Sequence, residues 1–216
     1  MKPPKFSSLT YAAVWHGCQT IFDLLYRPEI AGIENVPADG SFILACNHAS
    51  FLDPPIAGSY LPRELHYFAR KTLFKGRFGK LISDLNSIPI DRDGDSDLAA
   101  FRKVFGVLKS GEAILVFPEG TRTKDGKLGE VRGGVGMLAC RSQVPVLPVR
   151  IFGSFDIWSR KHKYPALSKN LGLTIGPVIL PKDYDPGKAD KERYQNASTR
   201  IMKEIENLKA PEISGV

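Results

Sequence analysis

The run Phe42-Ile-Leu-Ala-Cys46, followed at once by Asn47-His48-Ala49-Ser50-Phe51-Leu52-Asp53 and then Pro54-Pro55, sets the class of fold. An apolar run this short, with no polar alternation, reads as a strand buried on both faces, the kind a parallel sheet requires. The polar turn leaves its carboxyl end, where ligands sit in open α/β sheets. Ala113-Ile-Leu-Val-Phe117 repeats the pattern and runs into Pro118-Glu119-Gly120-Thr121-Arg122. Further strands are expected at 65–69, 87–91, 146–152 and 171–176, and helices at 54–60, 72–84, 98–110, 134–142 and 188–208. Short apolar runs alternating with longer amphipathic ones predict a single α/β domain, its mostly parallel or mixed central sheet flanked by helices.

Within the helix at 98–110, Asp97 is placed as the cap, Leu98, Phe101, Phe105 and Leu108 make an apolar stripe, and Gly111 follows as a stop. Ahead of the first strand, Leu9 to Tyr26 is mostly apolar and aromatic but is broken by His16, Gln19 and Asp23. It falls short of the roughly 20 apolar residues a membrane-spanning helix needs. Two readings stand for it: an amphipathic helix lying in a membrane interface, or one packed on the domain's own core.

The chain has 216 residues, 43% hydrophobic and 25% charged, which excludes disorder and a multispan membrane protein. Lys and Arg number 30 against 23 Asp and Glu, a net charge of +7 that favours anionic partners. Cys18, Cys46 and Cys140 are too few and too scattered for a disulfide framework or a zinc site, and suit a reducing compartment.

His48 can take a proton near neutral pH, and Asp53 can fix its tautomer and stabilise the imidazolium formed. The third member of a triad need not belong to the protein: a substrate hydroxyl against His48 could attack an activated acyl group. On a continuous helix, residues five apart diverge by about 140°, so the pair meets only if the chain turns before a helix begins. Pro54-Pro55 supplies that break and makes Asp53 a natural N-cap. Capping alone is the plainer reading of the same residues. In the second turn Gly120 allows close backbone approach, Thr121 offers a hydroxyl and Arg122 can grip a phosphate with two N–H groups, together an anion site. Glu119 is out of place there unless it pairs with an arginine or accepts from substrate hydroxyls.

Residues 61–80 interleave Arg63, Arg70, Lys71, Lys75, Arg77 and Lys80 with Tyr67, Phe68, Phe74 and Phe78, a pattern suited to a membrane surface, to nucleic acid, or to a solvated helix face. Arg92 adds a cation at the end of the strand at 87–91. The acidic run from Asp91 to Asp97 fails as a calcium loop in every register. Gly134-Val-Gly-Met-Leu-Ala139 lacks the preceding strand of a dinucleotide site. No Gly-x-Ser-x-Gly elbow or phosphate-binding P-loop motif is present.

Taken in order, Asn47-His48-x-x-x-x-Asp53, Ile88-Pro-Ile-Asp-Arg92, Phe117-Pro-Glu-Gly-Thr-Arg122 and Val144-Pro-Val-Leu-Pro-Val149 resemble the motifs of the glycerolipid acyltransferases, most closely of those that acylate 1-acylglycerol 3-phosphate (lysophosphatidic acid). The likeness covers roughly residues 30–180. It implies that His48 is the general base and Asp53 its orienting partner, that Glu119, Gly120, Thr121 and Arg122 hold the glycerol phosphate with Arg92 as a further ligand, and that Asn47 and Lys71 touch substrate or membrane. It also implies an acyl donor, acyl carrier protein or acyl-coenzyme A, with no metal and no cofactor. Thr72 and Arg77 depart from the acidic residue and the proline expected in the second motif.

Three segments are expected: a membrane-associating helix over 1–28, the acyltransferase domain over 29–209, and a tail at 210–216. The location implied is the cytoplasmic face of an anionic membrane, without a clear transmembrane span and without nucleic acid as a partner. Two alternatives keep the same surface: another acceptor, such as glycerol 3-phosphate or another lyso-lipid, and a non-catalytic phospholipid-binding protein.

Overall fold

In the computed structural model, residues 3–91, 98–167 and 170–212 are described, with backbone alone at residues 98 and 99. Seven strands form one sheet: β1 (Glu29–Ala31), β2 (Phe42–Cys46), β3 (Leu65–Arg70), β4 (Ser87–Ile90), β5 (Ala113–Val116), β6 (Val146–Phe152) and β7 (Gly172–Ile175), in spatial order β1-β7-β6-β2-β5-β3-β4. All neighbours run parallel except β6 and β7. The six strands expected from sequence are present. β1 is additional: three half-buried residues carry no strand signal of their own and acquire one only by pairing with β7.

The helices are α1 (Leu9–Leu25), α2 (Asp53–Ser59), α3 (Gly76–Asp84), α4 (Leu98–Lys109), α5 (Gly134–Ser142), α6 (Ser154–Trp158), α7 (Pro181–Tyr184) and α8 (Arg193–Asn207). β2 is buried at every position and divides the core by its own alternation. Phe42, Leu44 and Cys46 pack with Phe22, Ile56, Leu61 and Ile157 from α1, α2, the residues after α2, and α6. Ile43 and Ala45 face Val104, Leu138 and Ile201 from α4, α5 and α8. The result is a sheet between two helical layers, as binary patterning predicts.

Three expectations are corrected in detail. α4 turns Ala100, Val104 and Leu108 into the core, one residue round from the Phe101 stripe expected, while Phe105 is only partly buried. Its expected cap, Asp97, lies outside the described residues. The helix expected from 72 begins at Gly76, because residues 71–73 form a separate 3-10 turn. Asp53 is not an N-cap but the first residue of α2, after Leu52. A cap at 53 would serve no purpose, since Pro54 and Pro55 have no N–H and the Ile56 N–H already donates to the Leu52 carbonyl at 2.9 Å.

α1 packs on the domain. Tyr11, Trp15 and Phe22 are buried, and the Leu65 N–H donates to the Tyr11 hydroxyl at 3.0 Å. Its opposite side leaves Leu9 and Leu24 91% and 76% exposed, so one helix carries both a core face and a bare apolar face. Among the described residues, no helix is long and apolar enough to cross a membrane.

Candidate active site

β2 and β5 are neighbours in parallel register, so the turns leaving their carboxyl ends lie side by side. The peptide of His48 joins them: its N–H donates to Glu119 Oε1 at 2.8 Å and its carbonyl accepts from the Thr123 N–H at 2.8 Å. Glu119, only 3% exposed, also accepts from the Gly129 N–H at 3.0 Å. Burial raises its pKa, the two backbone donors offset part of that rise, and the charge of Asp53 adds to it. Expected from sequence to hold the acceptor, Glu119 has one oxygen tying its turn to that of His48 and the other holding its own loop at Gly129.

The chain does turn before its helix, and His48 Nδ1 meets Asp53 Oδ2 at 2.9 Å. The same oxygen accepts the N–H groups of Ala49 and Ser50, each at 2.7 Å, and Oδ1 accepts the Ser154 hydroxyl at 2.7 Å. Asp53 is wholly buried. Three N–H groups on one oxygen call for a carboxylate, with Nδ1 as donor, so Nε2 is the nitrogen left to accept a proton. The imidazole stacks on Phe117, centroids 3.8 Å apart and planes 11° from parallel, which fixes its plane as well as its tautomer. His48 keeps 15% of its side chain accessible.

That accessible edge opens on a cavity of about 950 Å³. Thr121, Arg122 and Arg160 line its polar mouth with His48, and the body is walled by α1, α2, β3, α3 and the chain leading into α3, mostly through apolar side chains. The Arg122 guanidinium lies 3.4 Å above the centre of the Phe51 ring, which in turn packs on Trp158 at 5.3 Å. Gly120 sits at φ +65°, a conformation that favours glycine, and a Cβ there would come within 3.1 Å of Arg132. Elsewhere in the wall, a Cβ on Gly58 would fall 2.0 Å from the Tyr67 hydroxyl, so the glycine gives Tyr67 its place there. Cys18 also lines the cavity; burial raises its thiol pKa and keeps it neutral.

The structure thus brings His48, Thr121 and Arg122 to one cavity, with Asp53 paired to His48, and leaves Asn47 and Glu119 out of its lining. Asn47 clasps β6, accepting from the Ile151 N–H at 2.7 Å and donating to its carbonyl at 3.0 Å, and it does not reach the cavity. Lys71 is exposed beside the cavity, whose wall includes its neighbour Arg70. Arg92 lies outside the described residues. Ser154 and Arg160 went unread in the sequence. Ser154 directly follows Gly153 at the end of an expected strand, the position that drew attention to the other two turns. Among the described residues, no group of His, Cys, Asp and Glu is arranged to hold a metal ion.

A buried carboxylate paired to an imidazole, cations and a largely apolar cavity are together chemically suited to taking a proton from a hydroxyl beside an anionic, partly apolar ligand. The family model described as Acyltransferase matches residues 27–152, a span containing both turns. The chain belongs to the acyltransferase family. A 1-acyl-sn-glycerol-3-phosphate acyltransferase of Bacillus subtilis is 29% identical over 193 residues, covering 88% of this chain and 93% of that protein. One from Streptococcus pneumoniae is 31% identical over 79% of this chain and 61% of its own length. Among solved structures, the 1-acyl-sn-glycerophosphate acyltransferase PlsC from Thermotoga maritima superposes with a TM-score of 0.73, at 26% identity over 93% of this chain and 81% of that one. This acyltransferase therefore shares its α/β fold with a solved relative along nearly all of its length.

Proposed function

We propose that this acyltransferase moves a fatty acyl chain from a thioester of acyl carrier protein or coenzyme A to the 2-hydroxyl of 1-acylglycerol 3-phosphate, giving phosphatidic acid. The observation that carries the reading is the pairing of His48 and Asp53 at the polar mouth of a cavity whose body is apolar. The relatives' names supply the acceptor. In this reaction His48 Nε2 takes the hydroxyl proton as the oxygen attacks the thioester carbonyl. The new C–O bond forms, the C–S bond breaks, and the imidazolium returns the proton to the departing thiolate. Asp53 holds the imidazolium between the two steps. A thioester is already activated, so no covalent enzyme intermediate is required.

Thr121 and Arg122 bind the acceptor's phosphate in this scheme, and Glu119 positions their turn. Because phosphate contacts persist from binding through the transition state, Arg122→Ala is expected to raise the acceptor KM by roughly tenfold or more with a smaller change in kcat. Initial rates at varied acceptor concentration test it, and an unchanged KM refutes the role.

The substrates are lipids, and α1 contacts α3. Leu24 on α1 and Phe78 on α3 are 76% and 57% exposed, and the exposed Arg70, Lys71, Lys75, Arg77 and Lys80 flank the second in sequence. Apolar residues inserted among cations suit an anionic bilayer. Substituting Leu24 and Phe78 together by Gln is expected to weaken the affinity for phosphatidylglycerol vesicles in cosedimentation by roughly a hundredfold or more, given ~1.5–3 kcal/mol per buried side chain, while the melting temperature holds. Undiminished cosedimentation overturns this membrane face.

A further inference from the structure

Arg160 belongs to none of the sequence motifs, yet it lines the cavity mouth with His48, Thr121 and Arg122. Its guanidinium donates to the Thr121 hydroxyl oxygen, which leaves the hydroxyl proton of Thr121 for another acceptor. The turn beneath it is built around Ser159, which is wholly buried. The Ser159 carbonyl accepts the His162 N–H at 3.1 Å, and the Ser159 N–H and hydroxyl both meet His162 Nδ1, at 3.3 and 3.1 Å. Four residues after His162, the Ala166 N–H donates to the Ile157 carbonyl at 2.8 Å, so the segment is tied back to α6. Arg160 is therefore held at the mouth by its backbone as well as by Thr121.

No carboxylate among the described residues forms an ion pair with Arg160. The two acids of the site, Asp53 and Glu119, are buried behind the turns with their oxygens committed to His48, Ser154 and backbone N–H groups. Arg160 and Arg122 line the same cavity and both adjoin Thr121: Arg160 donates to its hydroxyl and Arg122 follows it in sequence. A phosphate monoester, which carries about −1.5 to −2 charges and three acceptor oxygens, satisfies two forks at once, whereas a phosphodiester offers one charge. We infer that Arg160 is a second phosphate-binding arginine, which with Arg122 and Thr121 clamps the phosphate monoester of the acceptor at the cavity mouth. This inference rests on the proposed reaction for the identity of the acceptor, but the anion site itself does not.

The test compares wild type with Arg160→Gln, Arg160→Lys and Lys163→Gln, the last removing an equal charge from an exposed position outside the cavity lining. Two readouts are used: KM and kcat for 1-acylglycerol 3-phosphate and for the acyl donor, and the Kd of glycerol 3-phosphate by calorimetry, which requires no turnover. For Arg160→Gln, the acceptor KM and the glycerol 3-phosphate Kd are expected to rise roughly tenfold to hundredfold, with kcat within about threefold and the donor KM unchanged. Arg160→Lys should recover part of the loss, because it keeps the charge without the fork, and Lys163→Gln should match wild type. Values for Arg160→Gln equal to wild type, or wild type that binds no glycerol 3-phosphate, overturn the inference. A rise confined to the donor KM moves the site to the donor's phosphate and overturns the acceptor assignment. Inactive proteins that still differ in Kd refute the proposed reaction and leave the arginine site standing.

Discussion

Replacing His48 by Ala is expected to lower kcat by roughly 10²–10⁴-fold, the range supplied by a positioned general base. The loss should fall on kcat rather than on substrate affinity, because the side chain reaches the cavity only at its accessible edge, while in the proposed reaction the apolar walls and the arginines hold the lipid. Folding should be little affected: the turn is held by the His48 backbone, through Glu119 and Thr123, and not by the imidazole. Thiol release and diacyl product, followed together with circular dichroism, check all three statements. A variant that retains more than about a tenth of wild-type kcat would remove His48 from the chemistry.

Asp53 carries the second large effect, and there stability and activity separate. Asp53→Ala deletes the shared acceptor of the His48 ring, the Ala49 and Ser50 N–H groups and the Ser154 hydroxyl, leaving these donors without their partner in a buried turn. A cost of roughly 3–5 kcal/mol is expected, a fall of about 10 °C in melting temperature for a domain of this size. Asp53→Asn keeps an acceptor for the turn and loses the charge. It should stay folded and still lose roughly 10²–10⁴-fold in kcat, since an imidazolium formed beside an amide is no longer stabilised. If Asp53→Asn turns over at the wild-type rate, the carboxylate is only a brace.

The contrast between these two residues shows what the sequence could and could not tell. The strand-turn pairs at 42–53 and 113–122 were legible because fully buried strands have an unbroken apolar composition and parallel sheets place ligands at one end. The meeting of His48 and Asp53 was legible because Pro54-Pro55 makes the chain turn between them before a helix begins. What could not be read was the division of labour inside the turns. Glu119 and Asn47 look like ligands in a linear sequence, because a polar residue beside a candidate base or phosphate ligand invites that reading. In three dimensions each closes a backbone gap between adjacent strand ends, a role set by which strands become neighbours. Ser154 and Arg160 were missed for the converse reason: they come from the end of β6 and the turn beyond α6, more than a hundred residues from His48. Likewise α1 combines an interior face with a bare apolar one, which a periodicity that tests for one stripe cannot separate.

The strand order has a consequence for biosynthesis. Made from its amino end, the chain exposes β1 before β7, yet among the described residues β1 pairs in the sheet with β7 alone, Glu29 opposite Gly172. The helices and strands from α1 to β5 can associate as they emerge, whereas this edge of the sheet must wait until most of the polypeptide has left the ribosome. Closing so long a loop is slow, and an unpaired strand is open to mispairing in the meantime. Three residues are short enough to be a poor template for such errors, which gives the brevity of β1 a kinetic value that its small contribution to the finished sheet does not reveal.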